Sequence, residues 1–140
     1  MAKGMIHHVE LYVSDLEESV GFWGWLLEEE FGYQPFQSFH GGRSWKCGDM
    51  YLVFCQTAEK YLEVPYHRCR TGLNHIAFHG DSKEQIDSIT EKLKMKGIPV
   101  LYQDKHPHAG GRGHYAVYFE DPDRIKVEIA APSDDGEKGK

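Results

Sequence analysis

From Ile6 to Val13 apolar and polar residues alternate, with Val9, Leu11 and Val13 on one face and His8, Glu10 and Tyr12 on the other. Period two with branched side chains predicts a strand, because neighbours on an extended chain point to opposite faces. The period then changes. Leu16, Val20, Trp23 and Leu27 recur at helical spacing and predict one buried stripe. Ser14 is placed to cap this helix, with Glu17 reaching back to it, and Gly32 to stop it. Strands are predicted at Gln34–Phe39, Arg43–Cys47 and Met50–Gln56, separated by turns at Gly41-Gly42 and Gly48-Asp49.

The same succession restarts at Leu73–His79, where Ile76 and Phe78 oppose His75, Ala77 and His79. Ser82 and Gln85 repeat the capping spacing, and Ile86, Ile89 and Leu93 form the second apolar stripe. Gly97 and Pro99 close that helix. Val100–Gln103, Tyr115–Glu120 and Ile125–Ala130 read as strands, with Asp121-Pro122-Asp123 as a tight turn. The order is strand, helix, three strands, twice over. Runs of strands joined by short turns favour antiparallel meanders over a parallel sheet.

The halves overlay on each other. His8-Val9-Glu10-Leu11 falls on His75-Ile76-Ala77-Phe78 at an offset of 67 residues, and Met50–Cys55 falls on Arg124–Ile129 at an offset of 74. A longer loop in the second half, around Lys105–His114, accounts for the difference. The expected organisation is one α+β domain over residues 5–132, built of two tandem βαβββ modules. Module one covers about 5–57, a connector 58–72 and module two about 73–132, with a charged tail over 133–140 expected to be disordered.

Composition narrows the function. A chain of 140 residues fits one domain. A formal charge of −6 and the lack of any Lys/Arg cluster argue against a nucleic-acid partner. No apolar run approaches the ~20 residues that span a bilayer. The N-terminus lacks the apolar core of a signal peptide, so the expected location is cytoplasmic. Cys47, Cys55 and Cys69 fit no short paired spacing and read as reduced thiols, with Cys55 expected in the core.

The overlay also selects chemistry. His8 and His75 occupy matching places on the first strand of each module, opposite the packed face. On the last strand Ile125, Val127 and Ile129 pack, leaving Lys126, Glu128 and Ala130 on the other side. If the modules face each other, His8, His75 and Glu128 line one concavity. Two imidazoles and a carboxylate leave open positions on an ion, which suits catalysis more than a closed structural site. Solvated strand histidines are the ordinary alternative in a chain with nine, and His7 is the rival to His8. The overlay puts Phe54, which cannot bind metal, at the fourth symmetric position.

These motifs carry a family resemblance. His8-Val9-Glu10-Leu11-Tyr12-Val13-Ser14-Asp15-Leu16 resembles the opening strand and helix start of glyoxalase-type domains. Asn74-His75-Ile76-Ala77-Phe78 resembles their second-module opening, and Asp121-Pro122-Asp123 with Val127-Glu128-Ile129 their closing turn and final strand. The similarity spans about Ile6 to Pro132 and points to the vicinal-oxygen-chelate superfamily of glyoxalases, bleomycin-resistance proteins and extradiol dioxygenases. It implies paired βαβββ modules curving into a cup around one divalent ion (Zn, Mn, Fe, Ni or Co), with His8, His75 and Glu128 as ligands, and a homodimer. Glyoxalases acting on the glutathione–methylglyoxal adduct carry a second ligand carboxylate where this chain has Phe54. Efficient lactoylglutathione lyase activity is therefore not expected, and the three-ligand pattern is closer to fosfomycin-modifying enzymes and dioxygenases.

Further residues complete the expected site. Arg112, in the glycine-rich loop His106–Tyr115, suits a substrate carboxylate or phosphate. Tyr115 or His114 could donate a proton, and Glu10, on the face of His8, is a candidate base or an ion-pair partner of Arg124 or Lys126. Trp25 falls off the helical stripe and is expected at a subunit interface. Two functions follow. The first is a divalent-metal enzyme acting on a small oxygen-rich substrate by lyase, isomerase, epoxide-opening or dioxygenase-type chemistry. The second is a metal-independent small-molecule or drug-binding protein of the bleomycin-resistance type.

Overall fold

In the computed structural model, residues 2–133 are described. The predicted tail therefore falls outside them apart from Ser133. The chain divides into two units between Pro65 and Tyr66, inside the expected connector. The architecture is α+β, one mixed sheet and one main helix to each unit. No helix of the described residues is long and apolar enough to cross a membrane.

The first unit contains β1 (His8–Val13), α1 (Leu16–Gly24), a π-helical segment (Trp25–Glu30), β2 (Gln34–Phe39), β3 (Gly42–Cys47) and β4 (Met50–Gln56). Its strands lie in the order β1-β4-β3-β2, with β1 parallel to β4 and the other pairs antiparallel. Leu11 and Val13 are buried while His8, Glu10 and Tyr12 are exposed, as the alternation predicts, but Val9, expected on the packed face, is exposed at the start of the strand. The helix cap lies one residue later than expected. Asp15, not Ser14, accepts the Glu18 amide at 3.2 Å. Ser14 is held otherwise, its carbonyl accepting from the Gln56 amide.

Trp25 corrects a second expectation. It is 6 % exposed, and its indole donates to Glu30 at 2.9 Å. Trp25 follows buried Phe22 by three residues, and the two rings meet edge-on with centroids 6.0 Å apart, so both lie on one packed side; the π-helical segment that begins at Trp25 keeps Leu26 and Leu27 buried as well. The stripe of Leu16, Val20, Trp23 and Leu27 is too narrow, because it leaves out Phe22, which is also buried.

The second unit contains β5 (His75–His79), α2 (Lys83–Met95), β6 (Ala116–Glu120) and β7 (Lys126–Ala130), in sheet order β5-β7-β6. β5 runs parallel to β7, and β6 antiparallel to it. Ser82 caps α2 by accepting the Gln85 amide at 3.0 Å, and Ile86, Ile89 and Leu93 are fully buried. Each such side chain is worth about 1.5–3 kcal/mol on burial. The strand expected at Val100–Gln103 is absent. Leu101 donates one backbone bond to Tyr118, but Tyr102 takes φ 55, a left-handed conformation that ends any extended ladder. The second unit is therefore one strand short of the first.

Strand register revises the internal overlay. His8 pairs with Tyr51 and Glu10 with Val53 in the first unit; His75 pairs with Lys126 and Ala77 with Glu128 in the second. Because His8 corresponds to His75 and Glu10 to Ala77, the counterpart of Glu128 is Val53. Phe54 belongs to the opposite, helix-packed face. It is fully buried, with its ring stacked on Trp23 at 4.8 Å and edge-on to Trp45 at 5.8 Å.

Candidate functional site

The β5–β7 ladder sets His75 and Glu128 on one face, because Ile76, Val127 and Ile129 take the other. His75 Nε2 lies 3.1 Å from Glu128 Oε1, and His75 Nδ1 lies 2.8 Å from Asn74 Oδ1. Asn74 is itself oriented, its amide nitrogen donating to the Arg68 carbonyl at 3.3 Å. This network assigns the proton of a neutral His75 to Nδ1, where Asn74 accepts it. The Nε2 lone pair then faces a carboxylate. That juxtaposition is repulsive unless a proton or a cation stands between the two.

Glu128 is 7 % exposed, and a carboxylate so buried needs partners. The Nε2 of His114 lies 2.5 Å from its second oxygen, Oε2. Tyr118, its register partner on β6, also bonds to it. Burial, then the charge and bond of Glu128, push the Tyr118 hydroxyl up to about 12, so it stays a protonated donor. The loop comes close because residue 110 has no side chain. A Cβ on Gly110 would collide with the His114 ring and stand 2.7 Å from the Tyr118 hydroxyl.

The other expected residues lie as follows. His8, in the first unit, stacks on Tyr51 with ring centroids 4.7 Å apart and an interplanar angle of 4°, and its Nδ1 is 2.9 Å from that of His7. Glu10, on the same face, accepts a bond from the Cys55 thiol at 3.3 Å. Cys55 is thus a half-buried residue of that face rather than a core one. Burial, then the Glu10 bond and charge, raise its thiol to about 11. Arg112 is exposed between Gly111 and Gly113. The Tyr115 hydroxyl donates to Asp87 on α2 at 2.6 Å, so the loop donor that reaches Glu128 is His114.

Three contributors were not singled out from the sequence. Asn74 had a visible signal, being adjacent to His75. Tyr118 had none, because only the β6–β7 register brings it opposite Glu128. Alternation along the last strand puts Lys126 on the face of Glu128, but offers it only as an ion-pair partner of Glu10. Its Nζ donates to the Tyr102 hydroxyl at 2.9 Å and lies over the rings of Tyr102 and Tyr118.

The donor chemistry of His75 and Glu128 fits a divalent cation. An imidazole fixed through its far nitrogen by an amide oxygen is how metal-bound histidines are commonly supported. Among the described residues, however, no three His, Cys, Asp or Glu side chains converge as a metal cage. His75 and His114 instead flank the carboxylate, one on each oxygen.

Residues 5–129 match the family model of the Glyoxalase/Bleomycin resistance protein/Dioxygenase superfamily. The chain belongs to that superfamily. The superfamily includes metal-dependent glyoxalases and fosfomycin-resistance enzymes. Within it, the chain is 62 % identical over 128 residues to the uncharacterized protein YqjT of Bacillus subtilis, covering 91 % of this chain and 99 % of that one. A solved Bacillus halodurans structure, designated a glyoxalase only provisionally, is 57 % identical with a TM-score of 0.91, covering 93 % of this chain and 97 % of that one. Glutathione transferase FosA of Serratia marcescens is 28 % identical over 124 residues, 89 % of this chain and 78 % of that one.

Proposed function

We propose that this protein is a divalent-metal-dependent enzyme acting on a small oxygen-rich substrate, with His8, His75 and Glu128 as the ligands of one metal ion. The observation that carries this reading is the aim of the His75 Nε2 lone pair at the buried Glu128 carboxylate, with Asn74 holding the other nitrogen. His8 enters as third donor because it occupies in β1 the register position of His75 in β5. The bound ion would supply a Lewis acid that polarises a substrate oxygen. His114 and Tyr118 hold the Glu128 carboxylate in place, and His114 is the nearest proton donor to it. Glu10 is the candidate base on the His8 strand, and Arg112 the candidate loop contact for a substrate anion.

Likeness to glutathione transferase FosA makes addition of a thiol to a small electrophile the first reaction class to test. The decisive measurement comes earlier. Protein purified without a chelating column should carry about one divalent ion per chain, and His75→Ala, Glu128→Gln and His8→Ala should each lose it. Full metal content in His75→Ala and Glu128→Gln overturns the ligand assignment. Wild-type protein that takes up no divalent ion supports instead a binding protein of the bleomycin-resistance type.

A further inference from the structure

We propose that Lys126, held by Tyr102 and Tyr118, binds an oxyanion group of the substrate (a carboxylate, phosphate or phosphonate) beside Glu128. This rests on the function proposed above for placing substrate at His75 and Glu128, and it adds the substrate's charge class.

Three observations within the second unit carry it. The first is placement. Lys126 is the Cα partner of His75 in the β5–β7 ladder. It lies two residues before Glu128 on the same face, roughly 6.5–7 Å along the strand. A group bound at Lys126 is thus within the length of a small molecule from one that reaches Glu128.

The second is the state of the ammonium. Arg68 and Arg124, the nearby guanidinium groups, are both bonded to Glu120. Lys126 has no carboxylate partner among the described residues. Its Nζ gives one bond to the Tyr102 hydroxyl at 2.9 Å and lies 5.2 Å and 5.8 Å from the ring centroids of Tyr102 and Tyr118. Aromatic faces attract a cation without neutralising it, and one hydroxyl uses one of three ammonium donors. The result is a positioned, uncompensated cation in a chain whose formal charge is −6.

The third is the backbone beneath it. Tyr102 adopts φ 55, a left-handed conformation that strains a residue carrying a side chain. That conformation is fixed on both sides: Leu101 donates to the Tyr118 carbonyl at 2.8 Å, and the amides of Lys105 and His106 both donate to the Tyr102 carbonyl at 2.9 Å. An ordinary lysine stem covering aromatic surface needs no such strain. The strain delivers the phenol to the ammonium.

Methylphosphonate and acetate, as tetrahedral and planar probes, can be titrated calorimetrically into the full chain. Both Mn(II)-loaded and chelator-treated, dialysed protein should be used. Methylphosphonate should bind in both forms, and Lys126→Met should weaken it by about tenfold or more, the scale of one charge-assisted bond. Lys126→Arg should restore affinity to within about threefold, because the charge is kept. Mn(II) affinity should be the same in all variants, and circular dichroism reports whether Lys126→Met is folded. If acetate is the tighter probe and shows the same dependence on Lys126, the ligand class is carboxylate. Methylphosphonate and acetate affinities in Lys126→Met within twofold of wild type, or no binding of either probe to wild type, overturn the proposal. Lys126-dependent binding to protein that takes up no Mn(II) leaves it standing and removes the metal ligands instead.

Discussion

The Oδ1 of Asn74 sits 2.8 Å from the Nδ1 of His75, and this contact fixes which imidazole nitrogen turns toward Glu128. Asn74 is exposed and belongs to no strand, so its side chain adds little to the core. Its effect falls on the orientation of His75. Asn74→Ala should therefore lower divalent-metal affinity by roughly 10–100-fold, the usual effect of losing such a supporting group. Its thermal midpoint should stay near that of wild type. Competition with a metallochromic chelator checks the affinity. Unchanged affinity would mean that His75 needs no external orientation.

Val53 stands where a symmetric second carboxylate would have to be. It is 4 % exposed and apolar, and can neither ligate a metal nor carry a proton. Turnover of the glutathione–methylglyoxal adduct should be negligible with any divalent ion. A rate near ~10 s⁻¹, ordinary for enzymes, would show that another group supplies the base.

Phe54 has a purely structural role between Trp23 and Trp45. Phe54→Ala should cost about 3–5 kcal/mol by leaving a cavity in a fully buried aromatic cluster. Equilibrium urea unfolding measures this. Folded variant protein should keep its metal content, in contrast to His75→Ala.

Cys55 links acidity to stability. Its thiol is raised from 9.0 to about 11 by burial and then by Glu10. A raised value means that the folded state holds the proton more tightly. The associated stability is complete below pH 9.0 and is lost as pH rises toward about 11. With Cys47 and Cys69 changed to serine, alkylation of Cys55 should stay slow until pH nears 11. Glu10→Gln should move that profile downward without reaching 9.0, since burial remains. A profile centred at 9.0 in both proteins would deny the thiol–carboxylate bond.

Much of this arrangement was legible in the chain. Period-two alternation located β1, β4, β5 and β7 to within a residue or two, and it put His8, His75, Lys126 and Glu128 on unpacked faces. Ser82 announced α2 because a hydroxyl three residues before an exposed amide is a local signal. What failed depended on non-local or cumulative geometry. The one-residue difference between Val53 and Phe54 follows from pairing, and ungapped overlay of β4 on β7 has no means of sensing it. Trp25 falls off a stripe drawn through Trp23 alone, whereas the packed side of the helix also includes Phe22, which Trp25 meets. The missing strand at Val100–Gln103 has apolar, strand-forming residues; only the backbone at Tyr102 refuses the extended form.

Gly110 gives the loop an unusual sensitivity. His114 reaches the Glu128 carboxylate past a residue that offers nothing but hydrogen, and the space for one methyl group there is already occupied by the His114 ring and the Tyr118 hydroxyl. The smallest possible side chain at this position would act as a wedge, forcing the imidazole to yield. Whether the carboxylate is shielded or laid open is thus decided by a residue with no chemistry of its own, and a single Gly110→Ala change would work as a steric valve on the site.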